Sequence, residues 1–132
     1  MPFHHVGLSV ADLDGAKEWY RRAFGLESEF EFELPGVRGA MLRSSEGYRL
    51  ELFEAEGSAD GLKDAQPNDA LRTRGYGHFA LEVTGLDEVH ARLLAEGASP
   101  VWDPRPAPEP GVRMAFVHDP EGNLIELLER EA

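Results

Sequence analysis

His5-Val6-Gly7-Leu8-Ser9-Val10 lies near the start of the sequence, and His78-Phe79-Ala80-Leu81-Glu82-Val83 repeats it 73 positions later. Each stretch begins with a histidine, alternates as a β-strand does, and leads through a short acidic turn into a segment with helical spacing. A glutamate follows each stretch in a similar strand ending, Leu50-Glu51-Leu52 in the first copy and Ile125-Glu126-Leu127 in the second. Two histidines and two glutamates therefore occupy equivalent positions of an internal duplication.

The duplication predicts an α+β fold made of two tandem βαβββ modules within a single domain over residues 1–132. Module 1 covers about residues 3–55 and module 2 about residues 76–129. Asp12 or Asp14 is the expected N-cap of the first helix, and Gly25 its stop. The predicted helices are residues 16–23 and 87–96, and the predicted strands are residues 3–10, 27–34, 39–43, 48–54, 77–83, 100–103, 113–118 and 123–129. We expect the modules to form a curved mixed sheet around a concave metal-binding cleft.

Two segments do not follow the strand and helix pattern. Residues 56–75 are rich in glycine, aspartate and proline and show no alternation, so we expect a linker that joins the modules or folds over a cleft. A weak helix is predicted within it at residues 69–74. Residues 103–111 contain four prolines, which cannot donate ladder hydrogen bonds. We expect this second segment to be a stiff solvent loop or a lid.

Composition excludes several classes of protein. A chain of 132 residues with 42% hydrophobic and 29% charged residues is typical of one globular domain. The net charge of −12 would repel nucleic-acid phosphates, and no apolar run approaches the roughly 20 residues of a membrane span. The sequence has no cysteine, which excludes disulfides, thiolate ligands and a cysteine nucleophile. We therefore expect a cytoplasmic protein with no nucleic-acid or membrane partner.

The four repeated residues are chemically suited to a metal site. His5 shares its strand face with Gly7 and Ser9, which leave room for a ligand. Glu126 shares its face with two leucines, where an ionised carboxylate is costly unless it is paired or bound to a metal. Imidazole and carboxylate donors together suit Zn, Ni, Co, Mn or Fe. The sequence therefore predicts one divalent metal ion with four candidate ligands: His5, Glu51, His78 and Glu126.

Other polar candidates carry less weight. His4 is out of phase with His5, His90 belongs to the second predicted helix, and His118 precedes a turn, so we expect these three to be structural. Glu82 faces the same side as the second histidine and is a minor candidate for substrate contact or proton transfer.

Two motifs resemble the vicinal oxygen chelate superfamily, which includes glyoxalase I, bleomycin-resistance proteins, methylmalonyl-CoA epimerases, fosfomycin-resistance enzymes and extradiol dioxygenases. The first strand, followed by Asp12-Leu13 and Trp19-Tyr20, is similar to the family's first-module opening. Asp119-Pro120-Glu121-Gly122-Asn123-Leu124-Ile125-Glu126-Leu127 is similar to its closing signature and is the more specific motif. The resemblance covers about residues 3–129.

The resemblance implies a divalent metal inside the curved sheet, with His5, Glu51, His78 and Glu126 at the four ligand positions of glyoxalase I. It implies a metal-dependent lyase or isomerase in which Glu51 or Glu126 abstracts a proton next to a metal-bound carbonyl of a small-molecule substrate. An antibiotic-binding resistance protein and an Fe(II)-dependent ring-cleaving dioxygenase are the alternatives. Bleomycin-binding members generally lack this ligand set, and the dioxygenases use two histidines and one glutamate.

Two positions depart from the family pattern. Bacterial glyoxalase I enzymes usually have an arginine four residues after the first histidine and an asparagine four after the first glutamate, both contacting glutathione. Here these positions are Ser9 and Ala55, which argues against a glutathione hemithioacetal as the substrate. The family builds its clefts within one chain or across a swapped dimer. We expect a homodimer, because pairing or covering protects sheet edges.

Overall fold

The computed structural model describes residues 1–131 and confirms the α+β fold with two tandem βαβββ modules. The chain divides into two compact units, unit 1 over Met1–Ala59 and unit 2 from Asp60 onward. No helix within residues 1–131 is long and apolar enough to span a membrane. The elements are β1 (Val6–Ser9), α1 (Leu13–Phe24), β2 (Glu27–Leu34), β3 (Val37–Arg43), β4 (Arg49–Ala55), α2 (Pro67–Ala70), β5 (Phe79–Glu82), α3 (Leu86–Ala95), β6 (Ser99–Pro106), β7 (Val112–His118) and β8 (Leu124–Arg130).

Unit 1 is a four-stranded mixed sheet, in the order β1-β4-β3-β2, with helix α1 packed on it. β1 runs parallel to β4, and the other neighbours are antiparallel. Helix α1 begins where the Asp12 carboxylate accepts a hydrogen bond from the Gly15 amide (3.0 Å), and it ends at Gly25, whose φ of 69° suits glycine. Its buried side chains recur every three or four residues: Leu13, Ala16, Trp19, Tyr20 and Ala23.

Unit 2 repeats this topology with the strand order β5-β8-β7-β6. β5 runs parallel to β8, and helix α3 buries Leu86 and Leu93. Ile125 and Leu127 of β8 are fully buried, and strand alternation puts Glu126 between them on the opposite face. The unit thus presents its predicted metal ligand on the sheet face that these two core residues do not occupy.

Each unit fastens its long helix to its last strand through a glutamate. The Glu54 carboxylate of β4 accepts a hydrogen bond from the Leu13 amide at the start of α1, with a distance of 2.8 Å between Oε2 and N. The Glu129 carboxylate of β8 accepts an equivalent bond from the Gly85 amide at the start of α3. A carboxylate at a helix N-terminus satisfies an unpaired amide and interacts favourably with the helix dipole.

An ion pair between helix and sheet is also repeated. Arg38 of β3 donates from Nη2 to Asp14 Oδ1 of α1 at 3.1 Å. In unit 2, Arg113 of β7 donates from both terminal nitrogens to the Asp87 carboxylate of α3, each at 3.1 Å. The arginine hydrogen bond holds the pKa of each aspartate below its usual value. The second copy is bidentate and therefore fixes the geometry more tightly than the first.

The predicted linker packs partly on unit 2. The Asp64 amide donates to the Gly122 carbonyl at 2.9 Å, and Nε2 of His118 donates to the Ala65 carbonyl at 2.7 Å. Ala70 joins a buried cluster on the sheet with Met114, Phe116 and Leu124. The segment from Asp60 is therefore a structural part of unit 2.

Two sequence predictions need correction. The short helix is α2 (Pro67–Ala70) and not residues 69–74, because Pro67 fits the first turn of a helix. The proline-rich segment was expected outside any ladder, yet β6 runs through Pro106 and pairs with β7. β6 is an edge strand, and its register shifts on both sides of Trp102, so the prolines occupy positions that need no ladder donor.

Candidate metal centre

Two of the four predicted ligands, His5 just before β1 and Glu51 in the middle of β4, lie side by side. Because these strands are parallel with Gly7 opposite Glu51, His5 lies within reach of the glutamate side chain. His5 Nε2 is 3.2 Å from Glu51 Oε1, and the two side chains are 35% and 18% exposed. The pair is therefore formed and open to solvent.

The second pair has the same geometry in unit 2. Ala80 of β5 lies opposite Glu126 of β8, as Gly7 lies opposite Glu51. His78 Nε2 is 3.1 Å from Glu126 Oε1, and the side chains are 36% and 16% exposed. Atoms, distance and exposure agree between the two copies.

The two histidines are supported differently. The Nδ1 atoms of His4 and His5 are 2.8 Å apart, a hydrogen bond that leaves Nε2 of His5 directed at its glutamate. His78 instead meets the ring of Phe116 edge to face, with 5.2 Å between ring centroids. His4, expected to be structural, thus contacts a predicted ligand directly, and the adjacency of two histidines was the available signal.

Small residues leave space beside each glutamate. A Cβ added to Gly7 would lie 4.0 Å from Glu51 Oε1 and 3.8 Å from the Phe53 ring, which is ordinary contact. Ala80 is the equivalent residue in unit 2. Neither carboxylate therefore has a bulky side chain directly opposite it on the parallel strand.

Each pair offers one imidazole nitrogen and one carboxylate, which are suitable donors for a divalent transition metal. Glu126 carries its charge beside Leu124 and Leu128, and its hydrogen bond to His78 offsets part of the cost. Among residues 1–131, no group of three or more His, Cys, Asp or Glu side chains is assembled for a metal. The full four-ligand set therefore stays a prediction.

The other polar candidates have structural partners or none. His118 is buried and bonds to the Ala65 carbonyl, and Glu82 accepts a hydrogen bond from Arg130 at the surface (3.1 Å). His90 is buried on α3, and its Nε2 has no hydrogen-bond partner within residues 1–131. None of them belongs to either His–Glu pair.

His78 and Glu126 help to line a cavity of about 500 Å³ in unit 2, and the sequence pattern did not identify Trp102 and Phe116 as part of its wall. The segment 67–77 forms one side of it, and residues of β6 and β7 form another. Aromatic residues on two consecutive predicted strands, Trp102 and Phe116, were a possible signal for this wall. Whether they share a face depends on a strand pairing whose register is irregular. We call this cavity the unit 2 pocket.

Comparison with known proteins agrees with the fold and the motifs. A sequence model of the Glyoxalase/Bleomycin resistance protein/Dioxygenase superfamily matches residues 3–127. The match spans both modules, and the chain belongs to this superfamily.

Individual relatives are distant but cover nearly all of the chain. The lactoylglutathione lyase of Arabidopsis thaliana is 27% identical over 129 residues, which is 97% of this chain and 44% of that protein. A probable lactoylglutathione lyase of Vibrio cholerae is 28% identical over 137 residues, covering 96% of this chain and 89% of that protein. The chain thus spans less than half the length of the plant relative. A glyoxalase family protein from Bacillus cereus has the same fold, with a TM-score of 0.83 at 24% identity and coverage of 98% and 94%.

Proposed function

We propose that this chain is a divalent-metal-dependent lyase or isomerase whose metal ligands are His5, Glu51, His78 and Glu126. The observation that carries the proposal is the agreement of the two His–Glu pairs, at 3.2 Å and 3.1 Å, on equivalent strands. Two imidazoles and two carboxylates make a donor set for Zn, Ni, Co, Mn or Fe. Metal binding is also typical of the superfamily to which the chain belongs.

The reaction that fits this donor set is proton transfer next to a carbonyl. A bound divalent ion would polarise the substrate carbonyl and stabilise negative charge that develops on it. The Glu51 or Glu126 carboxylate accepts the proton from the neighbouring carbon and returns it to the substrate. The product is an isomer of the substrate, and no oxidant or reductant is needed. Both carboxylates are partly exposed, at 18% and 16%, and a substrate can reach them.

The relatives support this class of reaction and leave the substrate open. The Arabidopsis thaliana relative is named a lactoylglutathione lyase and the Vibrio cholerae relative a probable one, at 27% and 28% identity. Ser9 and Ala55 replace two residues that contact glutathione in the bacterial enzymes, so we propose a carbonyl substrate other than the glutathione hemithioacetal. The cytoplasmic location stays a prediction.

The test is the metal content of untagged protein, followed by titration of the metal-free protein with Co²⁺. We expect about one ion per chain, with affinity reduced roughly 100-fold or more in Glu51→Gln and in Glu126→Gln, since each loses a ligand. Glu82→Gln, on the neighbouring strand, is the matched control and should bind like the wild type. A protein that refuses metal, or that binds two independent weak ions each abolished by one variant, would contradict the four-ligand proposal.

We also propose a homodimer, and mixing two variants shows how the ligand pairs combine. One variant lacks the first pair (His5→Ala with Glu51→Ala) and the other lacks the second (His78→Ala with Glu126→Ala). If each ion takes one pair from each of two copies, refolding the variants together restores metal binding at one site in a mixed dimer. If each ion takes both pairs from one chain, the mixture stays without metal.

A binding protein without chemistry is the second candidate function. The unit 2 pocket favours it, because a cavity of about 500 Å³ with apolar walls suits a small organic ligand. This reading predicts ligand-induced thermal stabilisation of metal-free protein and no turnover. Turnover that depends on added metal would exclude it.

A further inference from the structure

The unit 2 pocket has mostly apolar walls. Trp102 and Phe116 meet edge to face, with ring centroids 5.3 Å apart and planes at 85°. Arg105 stacks over the Trp102 ring at 4.8 Å from its centroid, so this face of the indole is already covered. The apolar side chains that complete the lining are Pro67, Ala70, Leu71, Pro108 and Met114. Such walls favour a flat apolar group over an extended polar one.

One cation lines this pocket. Arg74 contributes to the wall, and no carboxylate within residues 1–131 pairs with it. By contrast, Arg38, Arg49, Arg113 and Arg130 are all in ion pairs, in a chain with a net charge of −12. A guanidinium without a carboxylate partner beside an apolar cavity is suited to an anionic group, above all a carboxylate.

The pocket is continuous with the second His–Glu pair, because His78 and Glu126 also line it. A molecule that occupies it therefore presents one part to the proposed reacting residues and another to the apolar wall. His78 meets Phe116 directly, so the ring wall and the proposed ligand form one surface.

We propose that the unit 2 pocket selects substrates with a flat apolar group, of the size of a phenyl ring, and a carboxylate. The ring packs against Trp102 and Phe116, and the carboxylate binds Arg74. These two groups define the substrate class of the proposed metal site. That the same substrate also carries a reacting carbonyl rests on the proposed function. The recognition itself uses none of the metal's chemistry and is measurable in metal-free protein.

The test follows the two indole N–H signals by NMR in metal-free protein held in chelator. The probes are 3-phenylpropionate, which has ring and carboxylate, 3-phenylpropan-1-ol, which lacks the carboxylate, and propionate, which lacks the ring. Trp102 lines the pocket, whereas Trp19 is buried in unit 1 and serves as an internal control. We expect 3-phenylpropionate to shift the Trp102 signal, to leave Trp19 unchanged, and to bind about fivefold tighter than the alcohol. Propionate should cause no shift.

Variants separate the two contacts. Arg74→Gln should remove the preference for the acid over the alcohol, and Arg72→Gln, a nearby arginine outside the lining, should keep it. Phe116→Leu should weaken both aromatic probes about fivefold and preserve the acid preference. An unmoved Trp102 signal, or an acid preference that survives Arg74→Gln, would overturn the inference. Because these readouts use metal-free protein, they fail or succeed independently of Co²⁺ binding.

Discussion

Units 1 and 2 hold the same His–Glu pair in different surroundings. In unit 1, Met41 lies opposite Glu51 on the neighbouring strand, whereas in unit 2 Phe116 lies opposite Glu126. On the next strand of unit 1, Phe30 lies opposite Met41 and is half exposed. On the next strand of unit 2, Trp102 lies opposite Phe116 and meets it edge to face. The duplication has thus kept the paired donors and changed what stands beside them. We interpret the donors as common chemistry and the differing neighbours as the origin of selectivity.

The largest expected effect comes from truncating the two residues opposite the glutamates. Met41 and Phe116 are 4% and 5% exposed, so Met41→Ala and Phe116→Ala should each lower the free energy of unfolding by about 3 kcal/mol, measured by urea denaturation. Metal affinity should fall in the Phe116 variant alone, because that ring also supports His78.

A less destabilising substitution shows whether the loss of metal affinity comes from unfolding or from the lost ring. Phe116→Leu keeps an apolar side chain and should cost about 1 kcal/mol while still removing the ring edge beside His78. Equal Co²⁺ affinity in Phe116→Leu and wild type would show that the ring does not support the ligand.

The next largest effect tests the other histidine. His4→Ala removes the hydrogen bond to His5 and should weaken Co²⁺ binding about tenfold, since the imidazole loses its orienting partner. The matched control in unit 2 is Gly77→Ala, which precedes His78 and whose added Cβ meets the Ala70 Cβ at 3.6 Å, an ordinary contact. Weaker Co²⁺ binding in Gly77→Ala but not in His4→Ala would show that His4 does not orient His5.

The smallest effect concerns the repeated ion pairs. Arg38 and Arg113 lower the pKa of Asp14 and Asp87 below the ordinary 3.8, so each pair stabilises the fold above that pH. The stabilisation is lost as the pH falls through the lowered pKa. At pH 6, Asp87→Asn should lower Tm by about 2 °C and Asp14→Asn by less, because the Asp87 pair is bidentate.

The pH series provides the check on these ion pairs. The Tm differences from wild type should shrink progressively as the pH falls below 3.8 and through the lowered pKa of each aspartate. Asp103→Asn, on the edge strand β6, is the control for removing a surface charge. A difference that persists unchanged in acid would assign the effect to something other than the ion pair.

The duplicated module was predictable because its signals are local and occur twice. Alternation in the strands, a capping aspartate at Asp12 or Asp14 and a stop at Gly25 are written in short windows of sequence, and the structure has Asp12 as the cap. The repeat also pointed to the four residues of the two His–Glu pairs, whereas the parallel contact that joins each pair was not predicted. Comparing the two copies indicated which histidine and which glutamate are equivalent, and one copy alone would have left this open.

For the unit 2 pocket, the sequence left open whether residues 56–75 join the modules or fold over a cleft, and it did not predict the residues that form the wall. Its wall joins residues of segment 67–77 to Trp102 and Phe116, and nothing local to the segment specifies that contact. The prolines of β6 also gave a misleading signal, because only the finished sheet defines which strand lies at its edge. Tertiary packing decides both features.

The strands β4 and β8 each carry two glutamates three residues apart, Glu51 with Glu54 and Glu126 with Glu129. An odd spacing sends the two side chains to opposite faces of the sheet, one to a histidine and one to a helix amide. If either strand were shifted by one residue, each of its two glutamates would move to the opposite face, so both bonds would be lost together. The same four carboxylates therefore favour the native register of both strands, and this contribution needs no bound metal or substrate.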